Sequence, residues 1–246
     1  MKINLDQATE HLRRDGVVIF PGLYADQCEP LMQEHKRCFS APLKGAELAP
    51  PMEGEQILPA RAVDLPENGL HTLHQCLFAN WFHELGSRYF RSPIASNQFA
   101  SICYDTPKRH LDGPGNHHTH WDPTLSLRLM ILISDASVEN GAIEVKRGTH
   151  YRNHATRLQL WENHIEYQDP CPCAGEELPF TPIEGRAGTA IVFDVSLTHR
   201  KGIVGPGQDR RVAFSHVHSP LAQYQQAGQS LADVPASLHW PHGTPL

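Results

Sequence analysis

No stretch of this sequence stays apolar for the roughly 18 to 20 residues needed to span a bilayer. Its opening, MKINLDQATEHLRRDG, lacks the apolar centre of a signal peptide. A cytoplasmic, soluble protein without membrane contact is expected. Positive charge is also in short supply: 21 Lys and Arg against 27 Asp and Glu leave a net charge of −6. That balance argues against binding to nucleic acid or anionic lipid, because phosphate contacts need a concentrated basic patch. The six cysteines, Cys28, Cys38, Cys76, Cys103, Cys171 and Cys173, fall at no framework spacing, so reduced thiols are expected in place of disulfides. Internal repeats and low-complexity tracts are absent too.

What remains is the composition of a folded globular protein. Apolar residues make up 40% and charged residues 20% of 246 positions, enough to bury a core and of a length that suits one domain over 1–246. LDQATEHLRRDG places Leu5, Ala8 and Leu12 on similar sides of a helix that ends near Gly16, and GVVIFPG follows as a brief strand. DQCEPLMQEHKRCF has helical periodicity, with Asp26 and Glu29 spaced for a capping box. Residues 41–67 are aperiodic and contain several prolines, which reads as a long loop bordering a site. A second helical region carries Leu70, Leu73, Leu77, Trp81, Leu85 and Tyr89 on one face, completing a helical flank over 1–95.

Beyond Ser96 the period changes. ASICY, LRLMILIS, GAIEVK, GTAIVFDV and RRVAFSHVH are β-favouring runs divided by polar or glycine-containing connections. The expected class is mainly β with flanking helices, an antiparallel sandwich or barrel. The proline-punctuated segment 219–246 is expected to be an extended tail around the outside.

The most informative stretch is HHTHWDPTLS, beginning at His117. In a β segment His120 and Asp122 share a face while Trp121 points away. His199, at the end of GTAIVFDVSLTH, is the best third partner. Two imidazoles and a carboxylate would fill one face of an octahedral iron(II) ion and leave positions for an organic chelator and dioxygen. A chelating 2-oxo acid such as 2-oxoglutarate needs a cation for its far carboxylate. Arg210 opens RRVAFSHVH, a run that a short turn can return beside the His199 strand. Arg211 should face the other way.

Two other readings stay open at this level. One is a non-redox cupin-like metal enzyme in which zinc or manganese activates water, and the other a non-catalytic cupin-like binding protein. Substrate contacts are expected from Tyr104, Arg109, His110 and His118 on the segment YDTPKRHLDGPGNHH, and from Arg128, His216 and His218. His117 and the Cys171/Cys173 pair are weighed as ligands and set aside, the cysteines for want of a second pair.

Taken in order, DGVVIFPGL, HWD, ENGAIEVKRGTH and GTAIVFDVSLTHRKG followed by RRVAF resemble the phytanoyl-CoA dioxygenase-like iron(II)/2-oxoglutarate oxygenases over about 16–214. The resemblance implies a double-stranded β-helix, also called a jelly roll or cupin-like core. It also implies a facial triad on His120, Asp122 and His199, a carboxylate-binding Arg210, and shaping turns at Asn140–Gly141 and Gly148–His150. Iron(II), 2-oxoglutarate and dioxygen are the implied cofactor and co-substrates. The implied reaction is hydroxylation of a small or medium polar metabolite, as in natural-product tailoring, with release of succinate and CO2. The chain departs from the family at Trp121, where the CoA-thioester enzyme has glutamine, at Lys201, where some members have a small hydroxyl residue, and at Arg147, where proline is usual. These departures argue against phytanoyl-CoA as the substrate. Asp122 argues against halogenation, since related halogenases replace that carboxylate with a small residue. Oligomeric state has no signature here.

Overall fold

The computed structural model describes residues 3–50, 52–108, 117–168 and 171–235. Its first elements follow the sequence pattern closely. Helix α1 (Leu5–Asp15) buries Ala8 and Leu12 and ends at Gly16, whose φ of 76° is the left-handed C-cap that glycine adopts freely. Strand β1 (Val17–Phe20) and helix α2 (Cys28–Ser40) come next. The Asp26/Glu29 capping box does not form. Residues 25–27 make a 3-10 turn, so α2 begins only at Cys28, and its N-cap, Gln27, makes no side-chain bond to the helix.

The presumed loop over 41–67 contains strand β2 (Glu55–Arg61) and a short helix α3 (Asp64–Glu67). Pro59 masks the strand in the sequence, yet β2 lies at a sheet edge, where a proline is tolerated. The second helical region is two helices, α4 (His71–Leu77) and α5 (Asn80–Phe90). Strands β3 (Ala95–Asp105), β4 (Ser126–Leu132) and β5 (Glu144–Lys146) are followed by helix α6 (His150–Glu162). Then come β6 (Thr181–Pro182), β7 (Ala190–Asp194), β8 (Thr198–Arg200) and β9 (Arg210–His218). The expected extended tail instead begins with helix α7 (Pro220–Gln226). Ser219 caps it by accepting from the Leu221 amide, and Leu221 and Ala222 are buried. Residues 236–246 lie outside the described residues.

The strands form two antiparallel sheets, one of six in the order β1-β7-β4-β9-β3-β2 and one of three in the order β6-β5-β8. Alternation divides the core in two. Leu127, Leu129, Ile131, Val192, Ala213 and Val217 face the helices, where they meet Leu12, Leu31, Leu73 and Leu85. Met130, Leu132, Ile191, Phe193 and Val212 face the smaller sheet, where they meet Val145 and Ile183. The space between the sheets opens onto a cavity. The Asn140–Gly141 turn is fixed by its own bonds: Asn140 accepts from the Ser137 amide and donates to the Asp135 carbonyl, while Gly141 takes φ 84°. Among the described residues no helix is long and apolar enough to cross a membrane.

Candidate active site

Strand β7 ends in a tight turn whose geometry is set by Asp194. Its buried carboxylate accepts from the Ser196 amide at 2.7 Å and from the Tyr89 hydroxyl at 2.8 Å. The chain leaves this turn as β8, which carries His199. His120 pairs with His199 through reciprocal backbone bonds of 3.0 and 2.8 Å, and the Asp122 amide donates to the Val195 carbonyl at 2.8 Å. The backbone therefore holds two segments nearly 80 residues apart in one fixed register.

Side chains converge from that register. One ligand atom each from His120, Asp122 and His199 can be chosen so that all lie within 4.8 Å of one another, the only such group among the described residues. His120 Nδ1 lies 2.9 Å from the His118 carbonyl, and His199 Nδ1 lies 2.6 Å from that of Leu197. A carbonyl only accepts, so each Nδ1 carries the hydrogen and each Nε2 presents its lone pair. Among the described residues the buried His199 Nε2 has no hydrogen-bond partner, and Asp122 Oδ1 stands 3.7 Å from His120 Nε2. This donor set fits a divalent metal of the non-haem iron type: two neutral imidazoles, a carboxylate, and tautomers fixed by the backbone. Burial pushes the His199 pKa down to about 4, which keeps that ring neutral at working pH. Burial pushes the Asp122 carboxyl up, but the Arg128 guanidinium and the nearby imidazoles outweigh it and hold its pKa below the usual value.

Two arginines support the HWD segment from opposite sides. Arg128, on the cavity-facing side of β4, donates to Asp122 Oδ2 at 2.6 Å and to His216 Nε2 at 2.8 Å, with its guanidinium 4.9 Å from the Phe214 ring centre. Arg157 of α6 is 2% exposed and clamps the segment from behind, donating to the Asp122 and Pro123 carbonyls at 2.7 Å each. Trp121 is buried on that far side, 5.0 Å from Arg157 and edge-on to Tyr167 at 4.9 Å. A larger hollow of about 420 Å³ backs onto Trp121, Arg157 and Tyr167, and none of the three ligands lines it.

From His199 and Arg128 a narrow cavity runs past Met130 and Phe214 to Arg210, Lys201 and Glu55. Arg210 is 5% exposed and donates to Asp105 Oδ2 at 2.7 Å. Asp105 Oδ1 lies 2.5 Å from Lys201 Nζ, which is also 2.8 Å from Glu55 Oε1. Arg211 faces away, pairing with Asp209 and lying over the Tyr104 ring at 4.3 Å.

The remaining candidates divide sharply. His216 and His218 lie stacked on the inner side of β9 with ring centres 6.1 Å apart. His118 neighbours the triad at 5.0 Å from the His120 ring. Tyr104 does not line the cavity. Alternation along β3 puts it on the opposite side from Cys103 and Asp105, packed against Phe39 and Arg211. Arg109 and His110 lie outside the described residues. His117 Nδ1 bonds the Lys201 carbonyl at 3.3 Å, and the Cys173 thiol bonds the Cys171 carbonyl at 3.3 Å. Sequence reading missed Asp105, Glu55 and Arg157. For Asp105 a signal existed, since two-residue alternation from Cys103 sends it inward at the end of ASICYD.

The sequence matches the phytanoyl-CoA dioxygenase family (PhyH) over residues 12–212. The chain belongs to that family. No curated protein matches it significantly by sequence. Among solved structures, it is similar to the epimerase SnoN in complex with Fe3+, α-ketoglutarate and nogalamycin RO, at 17% identity over 87% of this chain and 83% of that one, TM-score 0.62. AviO1 from Streptomyces viridochromogenes Tue57 is 20% identical over 90% of this chain and 98% of that one, TM-score 0.60. HygX from Streptomyces hygroscopicus, with nickel and 2-oxoglutarate bound, is 13% identical over 89% and 87%, TM-score 0.56. At these identities the likeness establishes the fold. The family match and the converging ligand set together make this PhyH protein an iron(II)- and 2-oxoglutarate-dependent dioxygenase, with iron as cofactor and 2-oxoglutarate and dioxygen as co-substrates.

Proposed function

We propose that this dioxygenase, a single domain on a double-stranded β-helix, hydroxylates an unactivated C–H bond of a small or medium polar metabolite, yielding succinate and CO2. The observation that carries the reading is the convergence of His120, Asp122 and His199 with both imidazoles locked in the metal-accepting tautomer. Similarity to an epimerase from nogalamycin biosynthesis supports natural-product tailoring as the setting. Six cysteines that form no disulfide support a cytoplasmic one.

In this reading His120, Asp122 and His199 hold iron(II), whose chemistry is activation of dioxygen coupled to decarboxylation of 2-oxoglutarate. The chain's own part is placement and exclusion. Arg210 receives the far carboxylate of the co-substrate, as guanidinium geometry suits it to do. Arg128 holds Asp122 Oδ2, leaving Oδ1 for the metal. His216, whose pKa burial holds well below its usual value, stays neutral beside Arg128 and offers Nδ1–H toward the substrate side. Phe193 and Phe214 flank Arg128 and limit water there. His118 and His218 are further substrate contacts, joined by Arg109 and His110 from the segment before the HWD motif.

The test is anaerobic titration of the apo-protein with iron(II) and 2-oxoglutarate, following their weak visible charge-transfer band. The parent gives the band, and Arg210→Ala requires roughly 10- to 100-fold more 2-oxoglutarate, the size of a lost charged hydrogen-bond pair. A folded, metal-loaded parent with neither a band nor calorimetric binding would overturn the assignment in favour of a non-redox metal function.

A further inference from the structure

The guanidinium of Arg210 has two edges, and only one is occupied. Nη1 donates to Asp105. On the other edge, among the described residues, Nε is buried without a partner and Nη2 meets only the Met130 sulfur at 3.7 Å. Nε and Nη2 form the side-on fork that donates to both oxygens of a carboxylate. A free arginine has no reason to choose which edge it turns into the cavity. Here Asp105 chooses, from the end of β3 where its backbone is paired with Arg210 itself. Asp105 is 1% exposed, and its second oxygen is engaged by Lys201, which Glu55 holds in turn. A bare carboxylate in an anion pocket would repel the ligand. Lys201 removes that objection by pairing with Asp105 Oδ1, the oxygen that Arg210 does not use.

We propose that Asp105 is a positioning residue for 2-oxoglutarate: it pins Arg210 by Nη1 so that the Nε/Nη2 fork faces the co-substrate's far carboxylate, while Lys201 neutralises Asp105. The inference rests on the assignment of Arg210 as the carboxylate anchor. It also gives Lys201 a role at a position where some family members carry a small hydroxyl residue. The sign of the expected effect separates positioning from simple charge. Removing a carboxylate from an anion site tightens binding if charge alone matters. It loosens binding if the carboxylate orients the arginine.

The experiment compares 2-oxoglutarate with 2-oxopentanoate, which chelates metal equally but lacks the far carboxylate. Both are titrated anaerobically into the iron(II)-loaded parent, Asp105→Ala, Asp105→Asn and Arg210→Ala, with affinity read from the visible band. Asp105→Ala is expected to weaken 2-oxoglutarate roughly tenfold and leave 2-oxopentanoate unchanged. Asp105→Asn, which keeps an acceptor for Nη1, is expected to recover part of the loss. Equal or tighter 2-oxoglutarate binding in Asp105→Ala overturns the proposal, and so does equal weakening of both acids, which marks a merely structural role. If Arg210→Ala binds 2-oxoglutarate as the parent does, the anchor assignment itself has failed.

Discussion

Asp122 performs two tasks with two oxygens, and substitutions should separate them. Oδ2 neutralises a mostly buried Arg128, while Oδ1 faces His120 Nε2. Asp122→Asn retains an acceptor for Arg128 but loses the charge that iron(II) favours. Turnover of the co-substrate is expected to fall by more than about 100-fold, beyond the range seen for outer-shell partners, with melting temperature little changed. Asp122→Ala leaves Arg128 without its counter-ion, so it should lose both turnover and stability. Equal melting temperatures for the two variants would show that Arg128 does not depend on Asp122. Behind the same segment, Arg157→Met removes the buried donor to the Asp122 and Pro123 carbonyls and is expected to destabilise by about 2 kcal/mol, read as a lower denaturant midpoint. The His-x-Asp spacing was legible because a period of two is a local property. Arg157 was not, because its partner lies 35 residues away and no local pattern encodes such a meeting; for Asp105 alternation gives the inward direction but not its partner Arg210, 105 residues away.

At the scale of elements, the same distinction decides which helices the sequence discloses. Helices α1, α2 and α5 bury apolar faces, so their periodicity shows. Helix α6 buries His150, Asn153, His154 and Arg157, a polar face aimed at the backbone of the site, and hydrophobic periodicity does not register it. Asn153 donates to the Ser196 carbonyl and Arg157 to the Asp122 carbonyl, so the polarity that hid the helix is what braces the two ligand segments. Strand β2 was hidden by its proline. The start of α4 depends on another remote partner: its N-cap, Leu70, offers no side-chain bond, and Glu34 of α2 accepts from the Thr72 and Leu73 amides at 2.9 and 2.8 Å. Glu34→Ala is expected to lower stability by about 1 to 2 kcal/mol and to speed amide exchange in the first turn of α4 above all. Uniform exchange along α2 and α4 would contradict the cap.

For the whole molecule, pH should act through imidazoles that fold into dry surroundings. His35 has no exposed surface, bonds the Cys103 carbonyl at 2.9 Å, and is pushed down to about 4, chiefly by burial. Burial lowers His150 as well. In the unfolded chain an imidazole takes up its proton near pH 6.5. Between that value and about 4 the unfolded state binds more protons than the folded one, so stability rises with pH across the window. The contribution is full above about pH 6.5 and is lost as pH falls toward 4. For His35 the gap corresponds to about 3 kcal/mol, a large share of a typical domain's margin. Denaturant midpoints of the metal-free protein should therefore drop steeply between pH 7 and 5. His35→Gln keeps an N–H for the Cys103 carbonyl but cannot take up the proton, so its midpoint should fall less over the same range. Parallel pH profiles for the two proteins would mean that His35 takes up its proton equally in the folded and unfolded states, and that the acid sensitivity of the fold originates elsewhere.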